Sequence, residues 1–178
     1  MSTLSIPQVE DQEAFNIERW LEVCADPELA KLEHRIETDR FGKVTMSPPP
    51  GFNHGNLQSQ IAFHLRSCKP EGTAVTECPI STREGIKAAD IAWISKERTE
   101  RSLKKNILTI APEICVEVLS PSNSKNEIEL KKDLYFEAGA DEVWICDLQG
   151  KMYFFLNEAN QPSRESALFT DFPNSLES

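Results

Sequence analysis

Apolar residues recur at helical spacing near the start of the chain. Phe15, Ile17, Trp20, Leu21 and Cys24 predict an amphipathic helix over residues 10–25, ended by Asp26-Pro27. Looser alternation across 35–46, around the turn Thr38-Asp39-Arg40-Phe41-Gly42, predicts a β-hairpin. Ser47-Pro48-Pro49-Pro50-Gly51 follows as rigid punctuation, because its prolines fix φ and carry no N–H. A second helix opens at Asn53 or His54, with Leu57, Ile61, Phe63, Leu65 and Cys68 as its apolar side, and Pro70 stops it.

Strand patterns come next, at 74–80, 88–94 and 113–119, with a polar excursion at 95–106 between the last two. Ser120-Pro121-Ser122-Asn123 is turn and cap chemistry leading into a helix over 126–138, with Gly139 at its C-terminus. A buried-type strand at 142–147 passes through the tight turn Gln149-Gly150 into another at 152–156. Beyond Asn157 the pattern predicts irregular chain with one short strand near 166–169. This order predicts an α/β (or α+β) domain, a mixed central β-sheet flanked by α-helices.

A chain of 178 residues suits one domain with a real core. No apolar run reaches membrane-spanning length, and the polar, acidic residues 1–13 lack the pattern of a secretory signal. The five cysteines are isolated, with no C-x-x-C pair to hold zinc and an odd count that fits no disulfide framework. Reduced thiols and a cytoplasmic location are the expectation. The net charge of −10 argues against a generic nucleic-acid coat. It is unevenly spread, however: the ends are acidic, and the middle, residues 40–136, is mildly basic. That centre permits a local phosphate contact.

Two acids stand out because each sits inside an apolar, strand-like run: Asp90 in Ala88-Ala89-Asp90-Ile91-Ala92-Trp93-Ile94, and Glu117 in Ile114-Cys115-Val116-Glu117-Val118-Leu119. A carboxylate there is costly unless it is paired. Two such acids on adjacent strands would give oxygen ligands for a hard cation such as Mg²⁺ or Mn²⁺. Acids that end strands and point to solvent would look the same.

These acids belong to a longer series: Met46-Ser47-Pro48-Pro49-Pro50-Gly51 with His54-Gly55, then Ala89-Asp90-Ile91-Ala92, then Glu117-Val118-Leu119-Ser120-Pro121-Ser122. Lys131, Tyr135, Ala138-Gly139 and Val143-Trp144 follow. In order and spacing this series, over 35–156, resembles the Uma2 family, which has a restriction-endonuclease-like fold. The resemblance implies a helical extension at 1–30, a Uma2-like domain at 31–157 and a C-terminal tail at 158–178. It also implies membership of the PD-(D/E)xK nuclease group, in which an Asp and a Glu on neighbouring strands bind Mg²⁺ and a nearby Lys positions or activates water.

Carried over by residue, Asp90 is the first acid and Glu117 the second, with the Val118 carbonyl as a further metal ligand. The position two after Glu117 is Leu119 rather than Lys, and Lys131 on the following helix matches the place where Uma2-like chains carry it. Glu37 matches an acid that can approach the metal, and His54 matches a cleft-lining His. Free N–H groups near Ser122–Ser124 favour an anion at the start of the helix, and Ser120 and Ser122 are expected on the substrate side. From the residues alone, Lys96, Arg98, Arg101, Lys104 and Lys105 form either a solvated face or an arm that tracks phosphates. The expected function is a Mg²⁺- or Mn²⁺-dependent DNA endonuclease, expected to act as a homodimer. The rivals are a catalytically inactive nuclease-fold scaffold that binds nucleic acid or a protein, and a dimerisation module.

Overall fold

The structure is a computed structural model that describes residues 10–32, 34–157 and 161–177. Helix α1 (Gln12–Ala25) starts where the Asp11 side chain accepts the Ala14 N–H at 3.0 Å. The hairpin strands β1 (Arg35–Thr38) and β2 (Val44–Ser47) pair only with each other. Helix α2 (Phe52–Cys68) follows the proline run. Strands β3 (Thr73–Thr82) and β4 (Gly85–Ile94) then form a long antiparallel pair.

Helix α3 (Lys96–Ser102) and two short strands, β5 (Leu103–Lys104) and β6 (Ile107–Leu108), occupy the predicted polar excursion. Strand β7 (Ile114–Val118), helix α4 (Lys125–Glu137), and strands β8 (Glu142–Cys146) and β9 (Met152–Leu156) complete the order. The main sheet runs β5-β6-β3-β4-β7-β8-β9. The β3–β6 and β7–β8 pairs are parallel and the others antiparallel, so the sheet is mixed as the pattern predicts.

Period-two alternation divides the sheet's side chains between two cores. On one face Ile91, Trp93, Ile114, Val116, Trp144 and Phe154 pack with Leu57, Ile61 and Leu65 of α2. On the other, Ala92, Ile94, Cys115, Val143 and Ile145 pack with Ile128 and Tyr135 of α4. Helix α4 is capped by Ser124, whose hydroxyl accepts the Glu127 N–H. It ends at Gly139, whose φ of 103° lets the Gly139 and Ala140 N–H groups turn back to Phe136 and Tyr135 carbonyls.

Several expectations change. On α1 the buried positions are Asn16 and Val23, while Leu21 and Cys24 are exposed. Asn16 is read past by any hydrophobic pattern, yet its amide donates to Ser81 Oγ and the Thr82 carbonyl and fastens α1 to the β3–β4 turn. On α2 the inward row is Leu57, Ile61 and Leu65, and Phe63 (68% exposed) and Cys68 lie outside it. Residues 166–169 form no strand. Instead Phe169, Phe172 and Leu176 are buried against Trp144 and Phe154, so residues 161–177 belong to the core rather than to a tail. Phe172→Ala should therefore lower unfolding free energy by about 3–5 kcal/mol in urea titration. A loss under about 1 kcal/mol would return the segment to the periphery.

Candidate active site

The site forms where two neighbouring strands part. Strands β4 and β7 are hydrogen-bonded partners only across Ile91–Val116, Ala92–Cys115 and Trp93–Ile114. One step beyond that ladder lie Asp90 on β4 and Glu117 on β7, both almost fully buried. From there β4 continues to Gly85 without β7 beside it, and its edge needs other hydrogen-bond partners.

Side chains supply them. Val118 N–H donates to Asp90 Oδ2 at 2.7 Å, where a sheet would use a carbonyl. Ala88 N–H donates to Glu37 Oε1 at 3.1 Å, and Ile86 N–H to Thr38 Oγ1 at 3.0 Å. Lys131 donates to the Ala88 carbonyl at 3.3 Å. The β1–β2 hairpin is thereby joined to the β4 edge through β1 side chains. A close approach at the turn reinforces the join: a Cβ on Gly85 (φ 91°) would stand 2.4 Å from the Asp39 carbonyl oxygen.

The charges then form two linked chains. Glu77 accepts Arg35 Nε and Nη2 at 2.6 and 2.9 Å, and Arg35 Nη2 also pairs with Asp90 Oδ1. Glu37 lies 2.9 Å from Lys131 Nζ, which is 3.3 Å from both Glu117 oxygens, and Tyr135 donates its hydroxyl to Glu117 Oε1 at 2.6 Å. His54 Nε2 sits 3.3 Å from Asp90 Oδ2, while its buried Nδ1 has no hydrogen-bond partner among the described residues. Arg35, His54, Glu77, Asp90, Glu117 and Lys131 line a cleft of about 750 Å³ with Pro48, Pro49, Pro50, Ser120 and Ser122.

Burial and neighbours push these groups in different directions. Burial raises the Glu117 carboxyl above its ordinary range, although Lys131 and Arg35 pull the other way. Burial would also raise Glu37, but the Lys131 ammonium beside it prevails and holds it low. Lys131 itself stays above its ordinary value, because Glu117 and Glu37 outweigh its burial. It is a fixed cation. Burial, with Arg35 nearby, lowers His54, so its imidazole is neutral at pH 7.

Comparisons with known proteins bear on the family and the fold. The family model described as "Uma2: Putative restriction endonuclease" matches residues 21–177. The chain belongs to the Uma2 family. A solved structure from Anabaena variabilis ATCC 29413, described as a "putative nuclease belonging to DUF820", shares the fold with a TM-score of 0.63 at 21% identity. The likeness covers 81% of this chain and 80% of that one. No curated protein matches. The Uma2 match extends to residue 177, in keeping with the buried C-terminal segment and past the 35–156 read from the sequence. No described helix is long and apolar enough to cross a membrane.

Of the residues singled out in the sequence, Asp90, Glu117, Val118, Lys131, His54, Ser120 and Ser122 line the cleft, and Glu37 reaches it through Lys131. Lys132 points elsewhere, to Glu129 and the Phe155 ring. Leu119 lines a different cavity, of about 430 Å³, between α4 and strands β8 and β9. Arg98 and Arg101 are not at the cleft. The Arg98 guanidinium is taken by Glu113, Asp141 and the carbonyls of Ala111 and Gly139, and Arg101 pairs with Glu97 on its own helix. The expected phosphate-tracking arm therefore loses Arg98, which instead ties α3 to the sheet end.

Sequence reading missed Arg35, Glu77 and the role of Tyr135. The signal for Arg35 was available, since it stands two positions before Glu37 and both must share a face of β1. Glu77 had no such signal. It has a left-handed φ of 52° in mid-strand, and only the folded β3–β4 pair enforces that.

As the side chains stand, no group of three or more His, Cys, Asp or Glu among the described residues encloses a cation. The donor chemistry nevertheless fits one. Asp90 and Glu117 are buried carboxylates lining one cleft, oxygen donors of the kind a hard divalent ion takes. The carboxylate oxygens now face Arg35 and Lys131, positive groups that mark where positive charge is favoured.

The contrasting acids make a stability prediction. Glu37 is held low, so its contribution is complete above its unfolded value near pH 4.3 and fades as pH falls through its folded value. Glu117 is raised, so its charged form is the costly one at pH 7. Glu37→Gln should then cost about 1–3 kcal/mol at pH 7, with a deficit that shrinks toward pH 3. Glu117→Gln should cost less. Urea unfolding of both variants across that range checks the order, and a larger loss for Glu117→Gln would contradict it.

Proposed function

We propose that this Uma2 member is a divalent-cation-dependent nuclease that hydrolyses phosphodiester bonds of DNA at the cleft where β4 and β7 part. One observation supports the reading: an Asp and a Glu from adjacent strands, both buried, line one cleft with Lys131, whose ammonium lies 3.3 Å from Glu117. Asp90, Glu117 and the Val118 carbonyl would hold the ion, with Mg²⁺ or Mn²⁺ favoured by the oxygen-only donors. Such an ion supplies Lewis-acid charge to the phosphate and a more acidic water.

The chain's own side chains do the positioning. Lys131 has its N–H bonds shared among Glu37, Glu117 and the Ala88 carbonyl, so it acts as a fixed positive charge and not as a base. Tyr135 orients Glu117 from beneath. Neutral His54 keeps Asp90 directed toward Val118 without adding charge to the cleft. The phosphate enters past Ser120 and Ser122, ahead of the α4 N-terminus.

Lys131→Gln should lower plasmid nicking by about 10²–10⁴-fold while Mn²⁺ binding by calorimetry persists, because oxygens hold the ion. Lys132→Ala should leave both unchanged. Asp90→Asn should remove the Mn²⁺ binding itself. A wild-type chain that cleaves neither single- nor double-stranded DNA with Mg²⁺ or Mn²⁺ would overturn the nuclease reading.

A further inference from the structure

Resting on the cation reading of Asp90 and Glu117, we propose that Arg35 competes with the divalent cation for the Asp90 carboxylate, and that the displaced guanidinium clamps the substrate phosphate. Asp90 has two oxygens. Oδ2 already accepts the Val118 N–H at 2.7 Å and faces His54 Nε2 at 3.3 Å. Oδ1 is the oxygen left for an ion, and Arg35 Nη2 pairs with it. A guanidinium and a dication repel each other strongly at one buried carboxylate oxygen, so the two exclude each other.

Release from Asp90 does not free the side chain. Glu77 grips Nε and Nη2 on the other side, so Arg35 keeps one anchor in the cleft whichever cation Asp90 holds. The backbone of Glu77 underlines this role. The ladder pairs Thr76 with Ile91 and Cys78 with Ala89, which places Glu77 opposite Asp90, and there its φ is 52°. Alternation breaks at the same level, since Ala89 and Ala92 face one core although three residues apart. A residue with a Cβ adopts that conformation mid-strand only where its surroundings enforce it, and such strain gathers at functional sites.

The guanidinium also has capacity to spare. Nη1 hydrogen-bonds no described protein atom, whereas the Lys131 ammonium is saturated by its own neighbours. Arg35 and Lys131 are the cleft's Arg and Lys side chains, so Arg35 is the one with N–H groups to offer. A planar fork matches two phosphate oxygens.

The test is Mn²⁺ calorimetry on the full chain as wild type, Arg35→Gln and Arg35→Lys. It is paired with binding of a short fluorescein-labelled DNA duplex in Ca²⁺. Arg35→Gln should bind Mn²⁺ roughly tenfold more tightly, or more, since a competing charge is gone. It should bind the duplex roughly tenfold more weakly, since the clamp is gone. Equal or weaker Mn²⁺ binding by Arg35→Gln would overturn the proposal and leave the cation reading standing, with Arg35 a strut between hairpin and sheet. Absence of Mn²⁺ binding from all three proteins would overturn both. Should Arg35→Gln fail to fold, Arg35→Lys decides, because its point charge cannot span Glu77 and Asp90 together. Tighter Mn²⁺ binding than wild type supports the competition, and equal or weaker binding overturns it.

Discussion

The structure depends on where β7 stops accompanying β4. Three residue pairs hold the strands together, and past them the six residues Gly85–Asp90 of β4 have no strand paired on that edge. Buried backbone groups cannot stay unpaired, so acidic and hydroxyl side chains take over the hydrogen bonds a strand would have made. Those side chains then need cations of their own. The charge network follows from the divergence of the strands.

The network ties three parts of the chain that the sheet ladder leaves separate. Arg35 and Glu37 bring the β1–β2 hairpin to the β4 edge, Lys131 and Tyr135 bring α4, and His54 and Gln58 bring the start of α2. Apart from the Gln58 amide, which donates to the Asp90 backbone carbonyl, each link involves a charged group and is sheltered from solvent, where a pair is worth more than at the surface but an unpaired member costs more. Lys87 also approaches Glu37, at 4.0 Å, so Glu37, Glu77, Asp90 and Glu117 stand against Arg35, Lys87 and Lys131, and the acids outnumber the cations by one. A site balanced short of positive charge suits the arrival of a cation better than the arrival of a phosphate alone.

Much of the fold was legible because its signals are local. Helices α1, α2 and α4, the hairpin and strands β3, β4, β7, β8 and β9 all lie within a few residues of their predicted spans, since caps, prolines and alternation act at short range. The misses have a common origin in tertiary override. Asn16 is buried because Ser81 and Thr82 lie 65 and 66 residues away, and Phe172 is buried because Trp144 and Phe154 are there to receive it. No local pattern carries either fact. At the site, Asp90 and Glu117 could be read as acids out of place among aliphatics, and Lys131 through the resemblance to the Uma2 family. Arg35 offered only its spacing to Glu37, and Glu77 offered nothing, because its meaning comes from the charges it meets across strands.

The central claim is that the point of strand divergence is a cation site. Diffraction from Mn²⁺-soaked crystals, recorded for anomalous scattering from manganese, tests it directly. The account predicts one strong peak bonded to carboxylate oxygens of both Asp90 and Glu117, with the Arg35 guanidinium drawn away from Asp90. A peak elsewhere, or no peak in the cleft with the Arg35–Asp90 pair intact at saturating Mn²⁺, would contradict it.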